Sequence, residues 1–315
     1  MDKHFFGDTA VLLGRSLRHI MRSPDTIITT TIMPIAFMLL FVYVFGGAIH
    51  SGSGSYVNYL LPGILLITIA AGISYTAFRL FLDMTSGIFE RFQSMPIAFM
   101  LLFVYVFGGA ISQGSDRYVT YLLPGILLIT IASGISYTAY RLFLDLQSGI
   151  FERFQSMPIA RSTVLWAHVL TSVVANLISL VVVVLVALLM GFRSGAGVLA
   201  WLAVAGILIL FTLALTWLAV IAGLSATTVD GASAFSYPLI FLPFISSAFV
   251  ATATMPGPVR AFAEHQPVTP IVNTIRDLFT QQPVGADIWI ALAWCVGILI
   301  VAYALAMATY HRKIA

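Results

Sequence analysis

Lysine is nearly absent from this 315-residue chain, which holds only Lys3 and Lys313. Neither follows a glycine-rich loop, and a P-loop requires GxxxxGK[ST] with its lysine reaching the phosphates. ATP hydrolysis by this chain is therefore excluded. HExxH, CxxC and GxSxG are missing as well, which removes zincin, dithiol and nucleophile-elbow chemistry. The one cysteine, Cys295, lies in an apolar run, so no intrachain disulfide can form. The six histidines show no metal-ligand spacing, and His168, at the start of an apolar run, reads as a capping or interfacial residue. Charge is scarce: 9% of residues are Asp, Glu, Lys or Arg, against roughly 25% in a soluble domain. No charge lies near the middle of any long apolar run, where a proton-coupled carrier would need a carboxylate. No cleavable signal peptide is expected, because the first apolar run starts near Ile27 without a small-residue cleavage site.

What is present is hydrocarbon. The chain is 60% apolar, with a mean hydropathy of +1.02. Several runs exceed the ~20 residues that span a bilayer as a helix. They are continuous, without the short alternation of a barrel. The fold class predicted is all-α, a polytopic helical membrane protein. The net charge of +3 is small and scattered around span ends, so no nucleic-acid partner is expected.

A 62-residue stretch occurs twice in tandem, Met33–Ser94 and Met95–Ser156, differing at nine positions. Such close identity is unlike a solenoid, whose repeats share a pattern and not most of their letters. It reads as a duplication between MPIA tetrapeptides, a third of which starts at Met157. Without one copy the chain has 253 residues. The predicted layout is a six-span core plus a duplicated two-span hairpin, eight spans in all.

In chain order, residues 1–26 form a leader. Within it Asp8–Arg22 is a basic amphipathic helix, suited equally to a membrane interface or to docking on protein. Residues 27–94 hold two spans and a first polar elbow, and 95–156 repeat 33–94. Residues 157–253 hold three spans, at about Leu165–Met190, Leu199–Leu224 and Phe235–Ala253. Residues 254–287 read as two short amphipathic helices joined at Pro267, with Pro258 in the first turn of one. They form a re-entrant or interfacial hairpin. The last span, about Ile288–Tyr310, and a basic tail complete 288–315. With both termini inside, eleven of the fifteen Lys and Arg residues fall on the cytoplasmic side, as the positive-inside bias requires.

Polar groups at membrane depth are neutral: Thr68, Ser74, Tyr75 and Thr76, their copies Thr130, Ser136, Tyr137 and Thr138, and Tyr237, Ser246 and Ser247 near Ser236. Thr68, Ser74, Tyr75, Tyr237, Ser246 and Ser247 are candidates for a cargo path. The reading favoured over a cargo path is that the same groups are ordinary interhelical hydrogen bonds. Arg79/Asp83 and Arg141/Asp145 sit four apart at span ends and read as snorkelling ion pairs.

Two segments carry a resemblance. Ser148–Leu170 reads SGIFERFQSMPIARSTVLWAHVL, and Phe241–Leu278 reads FLPFISSAFVATATMPGPVRAFAEHQPVTPIVNTIRDL. Together they resemble the permease subunits of type-2 ABC exporters, in particular the daunorubicin-resistance branch. The resemblance implies a transport subunit and not an enzyme, in a bacterial inner membrane. It implies pairing as a homodimer or with a second permease, and a separate ABC-type ATPase that carries ATP and Mg. No cofactor is expected in this chain. It also implies that the elbow is the helix docking on the ATPase, through Glu152, Arg153, Gln155, Pro158 and Arg161. Glu90 and Arg91 match the same motif, but the residues after Met95-Pro96 depart from it, so the first elbow is a second choice. The cargo implied is hydrophobic or amphipathic: a drug, antibiotic or lipid. An ion-coupled secondary drug carrier is the rival reading, and an integral membrane enzyme a third.

Overall fold

The structure is a computed structural model, and it describes residues 35–36, 39–45, 96–107, 115–148 and 163–314. The leader helix, most of the first copy, both elbows (including Glu90, Arg91, Glu152, Arg153, Gln155, Pro158 and Arg161) and Thr68, Ser74, Tyr75 and Thr76 lie outside the described residues. The regular elements are all helices, with no strand among the described residues.

Among the described residues, four helices are long and apolar enough to cross a membrane. They lie within α1 (Ser115–Gln147), α2 (Thr163–Leu189), α3 (Val198–Ser225) and the final helix, α8 (Asp287–Ile314). The shortest candidate span has 25 residues; at 1.5 Å per residue it reaches about 37 Å, enough for a hydrocarbon core of ~30 Å. Asp287 in the first turn of α8 and His311, Arg312 and Lys313 in its last turn complement the helix dipole. Lys313 also donates to the carbonyl of Leu224, in the last turn of α3, where helix carbonyls lack partners.

The central helix is α1: 83% of its apolar stretch is buried, against 33%, 39% and 22% for α2, α3 and α8. It is also the least hydrophobic of the four. In lipid this order is expected, because the surrounding solvent is itself apolar and the polar side chains go to the protein interior. Thr130, Ser133, Ser136 and Thr138 are all buried on α1. The exposed hydrocarbon lies on α2 and α8, as in Leu170, Val174, Ile178 and Val181 on one and Ile300, Val301 and Leu305 on the other.

The span expected over Phe235–Ala253 is not one helix. It is α5 (Ser236–Phe241), following the short α4 (Val229–Ala234), then a chain of turns and a single 3-10 turn at Thr252–Thr254. Pro238 and Pro243 explain the break, since each lacks an N–H and its ring clashes with the preceding turn. Backbone freed at this depth must find protein partners. Ser246 donates to Pro243 O at 2.5 Å and accepts from Ala248 N–H at 3.1 Å. The Gln266 amide donates to Leu242 O at 3.1 Å and to Ile245 O at 2.9 Å. The segment is packed inside, with Phe244, Ala248 and Phe249 buried.

Two helices follow, α6 (Gly257–His265) and α7 (Val268–Thr280), a hairpin with Pro258 in the first turn of α6. α7 buries Val268, Ile271, Val272, Ile275 and Phe279. In α6 only Ala263 is buried and Phe262 is 53% exposed, so its apolar face is less covered than the spacing suggests. Phe279 packs on Phe192 and Trp201, with ring centres 5.3 and 5.0 Å away. Ser194 donates to Phe279 O at 3.2 Å, clasping the loop between α2 and α3.

The sequence LFVYVF occurs in both copies, and in both it forms a π-helical turn, Leu40–Phe45 and Leu102–Phe107. The two turns are not buried alike. The first hides Leu40, Val44 and Phe45; the second hides Phe103 and Val104 while Leu102, the counterpart of Leu40, is 41% exposed. Phe45 and Phe103 touch at 5.7 Å, and Phe103 continues to Phe249 at 4.8 Å.

Candidate functional site

The elbow lies between α1 and α2, and the structure shows how its two flanking helices are joined. Asp145 in the last turn of α1 meets His168 near the start of α2, Oδ2 to Nε2, at 3.2 Å. The sequence pairs Asp145 with Arg141, but Arg141 lies over the Tyr137 ring at 5.7 Å instead. Helix spacing favours Arg141 locally; the tertiary contact with α2 overrides it. His168 is thus neither free nor a cap: it bridges the flanks. Two turns away, Thr138 donates to Ser172 Oγ at 2.5 Å. Asn176 Nδ2 then donates to Ser172 O at 3.0 Å. One turn further, Asn176 lies against Gly134, where an added Cβ would stand 2.2 Å from its Oδ1. These residues form a polar seam climbing from the elbow end into the membrane-depth part of the bundle.

Of the candidate cargo-path residues only Tyr237, Ser246 and Ser247 are among the described residues, and these, like Thr130 and Thr138 of the second copy, have partners within the protein. Thr130 donates to Ile126 O at 2.8 Å in its own helix, Thr138 is in the seam, and Ser246 satisfies the broken segment. Ser247 donates to Asn273 Oδ1 at 2.7 Å. Tyr237 is also engaged within the protein. Among the described residues these groups act as interhelical and turn hydrogen bonds. Thr68, Ser74 and Tyr75 lie outside.

At the hairpin end a second constellation centres on Arg276 of α7. Its Nη2 donates to Ser247 O at 2.7 Å and to Tyr121 O at 3.2 Å. Its guanidinium sits 3.8 Å from the centre of the Tyr121 ring, a cation–π distance. Asn273 extends the group by donating to Asp287 Oδ2 at 3.0 Å. Burial holds the guanidinium below its usual range, with Tyr121 and Asp277 pulling the other way. One side chain therefore ties the hairpin to the central helix and to the broken segment. Of this constellation only the arginine itself is legible in the sequence, because carbonyl acceptors have no letter. Replacing Arg276 by alanine should destabilise the chain by on the order of 2–4 kcal/mol, since two buried carbonyls lose a charged donor. Lysine should recover less than half of that: it keeps a charge for the two carbonyls but loses the Nη1 hydrogen bond to Asn273 Oδ1 (3.4 Å) and the planar guanidinium over Tyr121. Thermal inactivation in mild detergent measures this; a lysine variant as stable as the parent would show that the planar guanidinium is not needed.

A cavity of about 380 Å³ opens between α1, α3, the broken segment, the hairpin joint and α8. Leu128 of α1, Phe211 and Leu215 of α3, Leu242 and Pro243, Pro267 and Trp294 of α8 are among its walls. All its lining residues are apolar or aromatic, and none is a candidate from the sequence. No sequence signal could single them out, since apolar letters at this depth line cavities, cores and lipid alike.

Three comparisons bear on this arrangement. The profile described as ABC-2 type transporter matches residues 94–280, which run from the second copy through the elbow to the end of the hairpin helix. The daunorubicin resistance ABC transporter permease protein DrrB1 of Streptomyces coeruleorubidus is 30% identical over 223 residues, covering 70% of this chain and 78% of its own length. A probable doxorubicin resistance ABC transporter permease protein DrrC of Mycobacterium tuberculosis (strain CDC 1551 / Oshkosh) is 25% identical over 225 residues, covering 70% of this chain and 79% of its own.

Proposed function

The chain belongs to the ABC-2 type transporter family, and we propose that within it this protein is the membrane subunit of an ATP-driven exporter of hydrophobic or amphipathic compounds. The observation that carries the reading is the family match over 94–280, joined to the drug resistance named for its relatives. A separate ATPase supplies the energy and docks on the elbow through Glu152, Arg153, Gln155, Pro158 and Arg161. The protein sits in a bacterial inner membrane with both termini in the cytoplasm and works as a pair of membrane halves. This puts the hairpin on the outer side.

The bundle geometry supports such coupling. The Asp145–His168 contact and the Thr138–Ser172 hydrogen bond hold the two spans beside the elbow together. A push on the elbow then moves α1 and α2 as one body, and packed elements shift between discrete arrangements without bending continuously. Because α1 is the central helix, its movement reaches the hairpin through Arg276. Access would alternate between the two sides without covalent chemistry in this chain.

The test uses inverted membrane vesicles holding this chain and its ATPase. Uptake of a fluorescent anthracycline should need ATP and persist when a protonophore collapses the proton gradient. Uptake that survives ATP depletion and collapses with the gradient would overturn the proposal in favour of an ion-coupled carrier.

A further inference from the structure

We infer that the cavity between α1, α3 and α8 is a binding site for one acyl chain of a bilayer lipid, entered sideways from the membrane. Two of its wall residues also belong to the exposed face of α8: Trp294 is 42% exposed and Val301 57%. The same face continues through Ile300 and Leu305, at 62% and 52% exposure. In a spanning helix that face meets lipid hydrocarbon, so the mouth of the cavity opens on acyl chains. The deeper walls do not: Phe211 and Leu215 are 4% and 3% exposed, and Leu128 is fully buried.

The chemistry of the walls selects the occupant. Water needs two to four polar partners in a cavity, and apolar cavities stay dry. An empty void of about 380 Å³ would leave its lining without dispersion partners on one side. An amphipathic drug would bury polar groups with nothing to bond them, which is costly. A hydrocarbon chain needs no polar partner, is present at the mouth at high concentration, and gains by leaving no void. The volume lies within the ~300–1,000 Å³ usual for ligand sites.

The position gives the occupant a consequence. The walls include Pro243 and Pro267, the joints of the broken segment and of the hairpin. The Gln266 amide fastens those two joints to each other. An acyl chain in the cavity is a wedge beside both, and it stabilises the arrangement in which they are packed apart from α8. The site is independent of the export reading, since it takes a lipid of the surrounding bilayer and not the cargo.

Gly297 of α8 lines the cavity, and a Cβ added there meets no atom within 4 Å. Gly297 is itself exposed, so leucine at 297 narrows the cavity at its mouth. Gly206 of α3 is equally open and exposed but does not line the cavity, so Gly206→Leu is the matched control. The probe is a phosphatidylglycerol carrying a diazirine midway along one acyl chain, mixed into vesicles with the full-length protein. After illumination, labelled peptides are mapped by mass. The parent chain should carry label on the buried walls Phe211 and Leu215 as well as on exposed Ile300 and Leu305. Gly297→Leu should lower the wall label at least fivefold and leave the exposed label unchanged; Gly206→Leu should leave both unchanged. Leu239→Trp, filling from the opposite wall, should repeat the loss and covers the case in which Gly297→Leu is poorly inserted. Label confined to the exposed face in the parent chain, or wall label indifferent to both filling variants, overturns the site. Neither result touches ATP-dependent uptake, so failure here is distinguishable from failure of the export reading.

Discussion

Replacing Gly134 by alanine is expected to destabilise the bundle by on the order of 3 kcal/mol, although alanine is the better helix former. In an open helix the change would stabilise by about 1 kcal/mol. Here the new Cβ would stand 2.2 Å from Asn176 Oδ1 and 2.9 Å from its Cγ, far inside any contact distance. Asn176 has nowhere to go. It is 3% exposed, and its Nδ2 is held on Ser172 O at 3.0 Å. Ser172 in turn takes the Thr138 hydrogen bond at 2.5 Å. Overpacking costs typically 1–3 kcal/mol, and a displaced buried amide adds the cost of its lost hydrogen bond. The clash therefore outweighs propensity. Valine should be worse. Shortening Asn176 to alanine in the Gly134→Ala background should recover a large part of the loss, a coupling of about 1–3 kcal/mol in a double-mutant cycle. Apparent melting by gel filtration after heating reads all four corners. A Gly134→Ala chain as stable as the parent would remove the close α1–α2 approach.

Changing Glu152 and Arg153 together to alanine should reduce ATP-dependent transport at least tenfold and weaken recovery of the ATPase with this chain on affinity purification. The expectation rests on the proposed role of the elbow and on the flanking seam. With Asp145 and His168 joined at 3.2 Å, the elbow has two closely held feet, and a docking surface between them passes displacement to both spans. Changing Glu90 and Arg91, the same letters in the first copy, should leave transport within twofold, because the sequence following them lacks the Arg161-Ser162-Thr163 entry. Full coupling in the Glu152/Arg153 double variant would show that the ATPase docks elsewhere.

Much of the helical layout was legible because long apolar runs between polar breaks have few solutions. α2, α3, α8 and the Pro-jointed hairpin start and stop within a few residues of their expected limits. The failure at Phe235–Ala253 is instructive. Its letters pass as a span by hydropathy, but Pro238 and Pro243 remove ladder donors five residues apart, and Gln266 and Arg276 stand ready to satisfy the freed carbonyls. Those partners lie 21 to 29 residues on, beyond any local pattern. The Asp145 partner was missed for the same reason: local spacing names Arg141, and packing chooses His168. High hydrophobicity did not mark the central helix: α1 is the least hydrophobic of the four long helices, because the lipid-facing ones carry the most apolar letters. The neutral serines and threonines of α1 were the better guide, and the central place of α1 is where their hydrogen-bond partners are.

The paired LFVYVF turns bear on how this chain will change over generations. All nine differences between the copies lie outside the hexapeptide, yet identical letters are not buried alike: Leu40 is 3% exposed where Leu102 is 41% exposed, and Phe103 and Val104 are buried where Phe41 and Val42 are half-buried. Selection therefore acts unequally on the same letter. Leu102 is open to substitutions that would damage the packing at Leu40. Divergence at this position should begin in the second copy, and at the next two positions in the first.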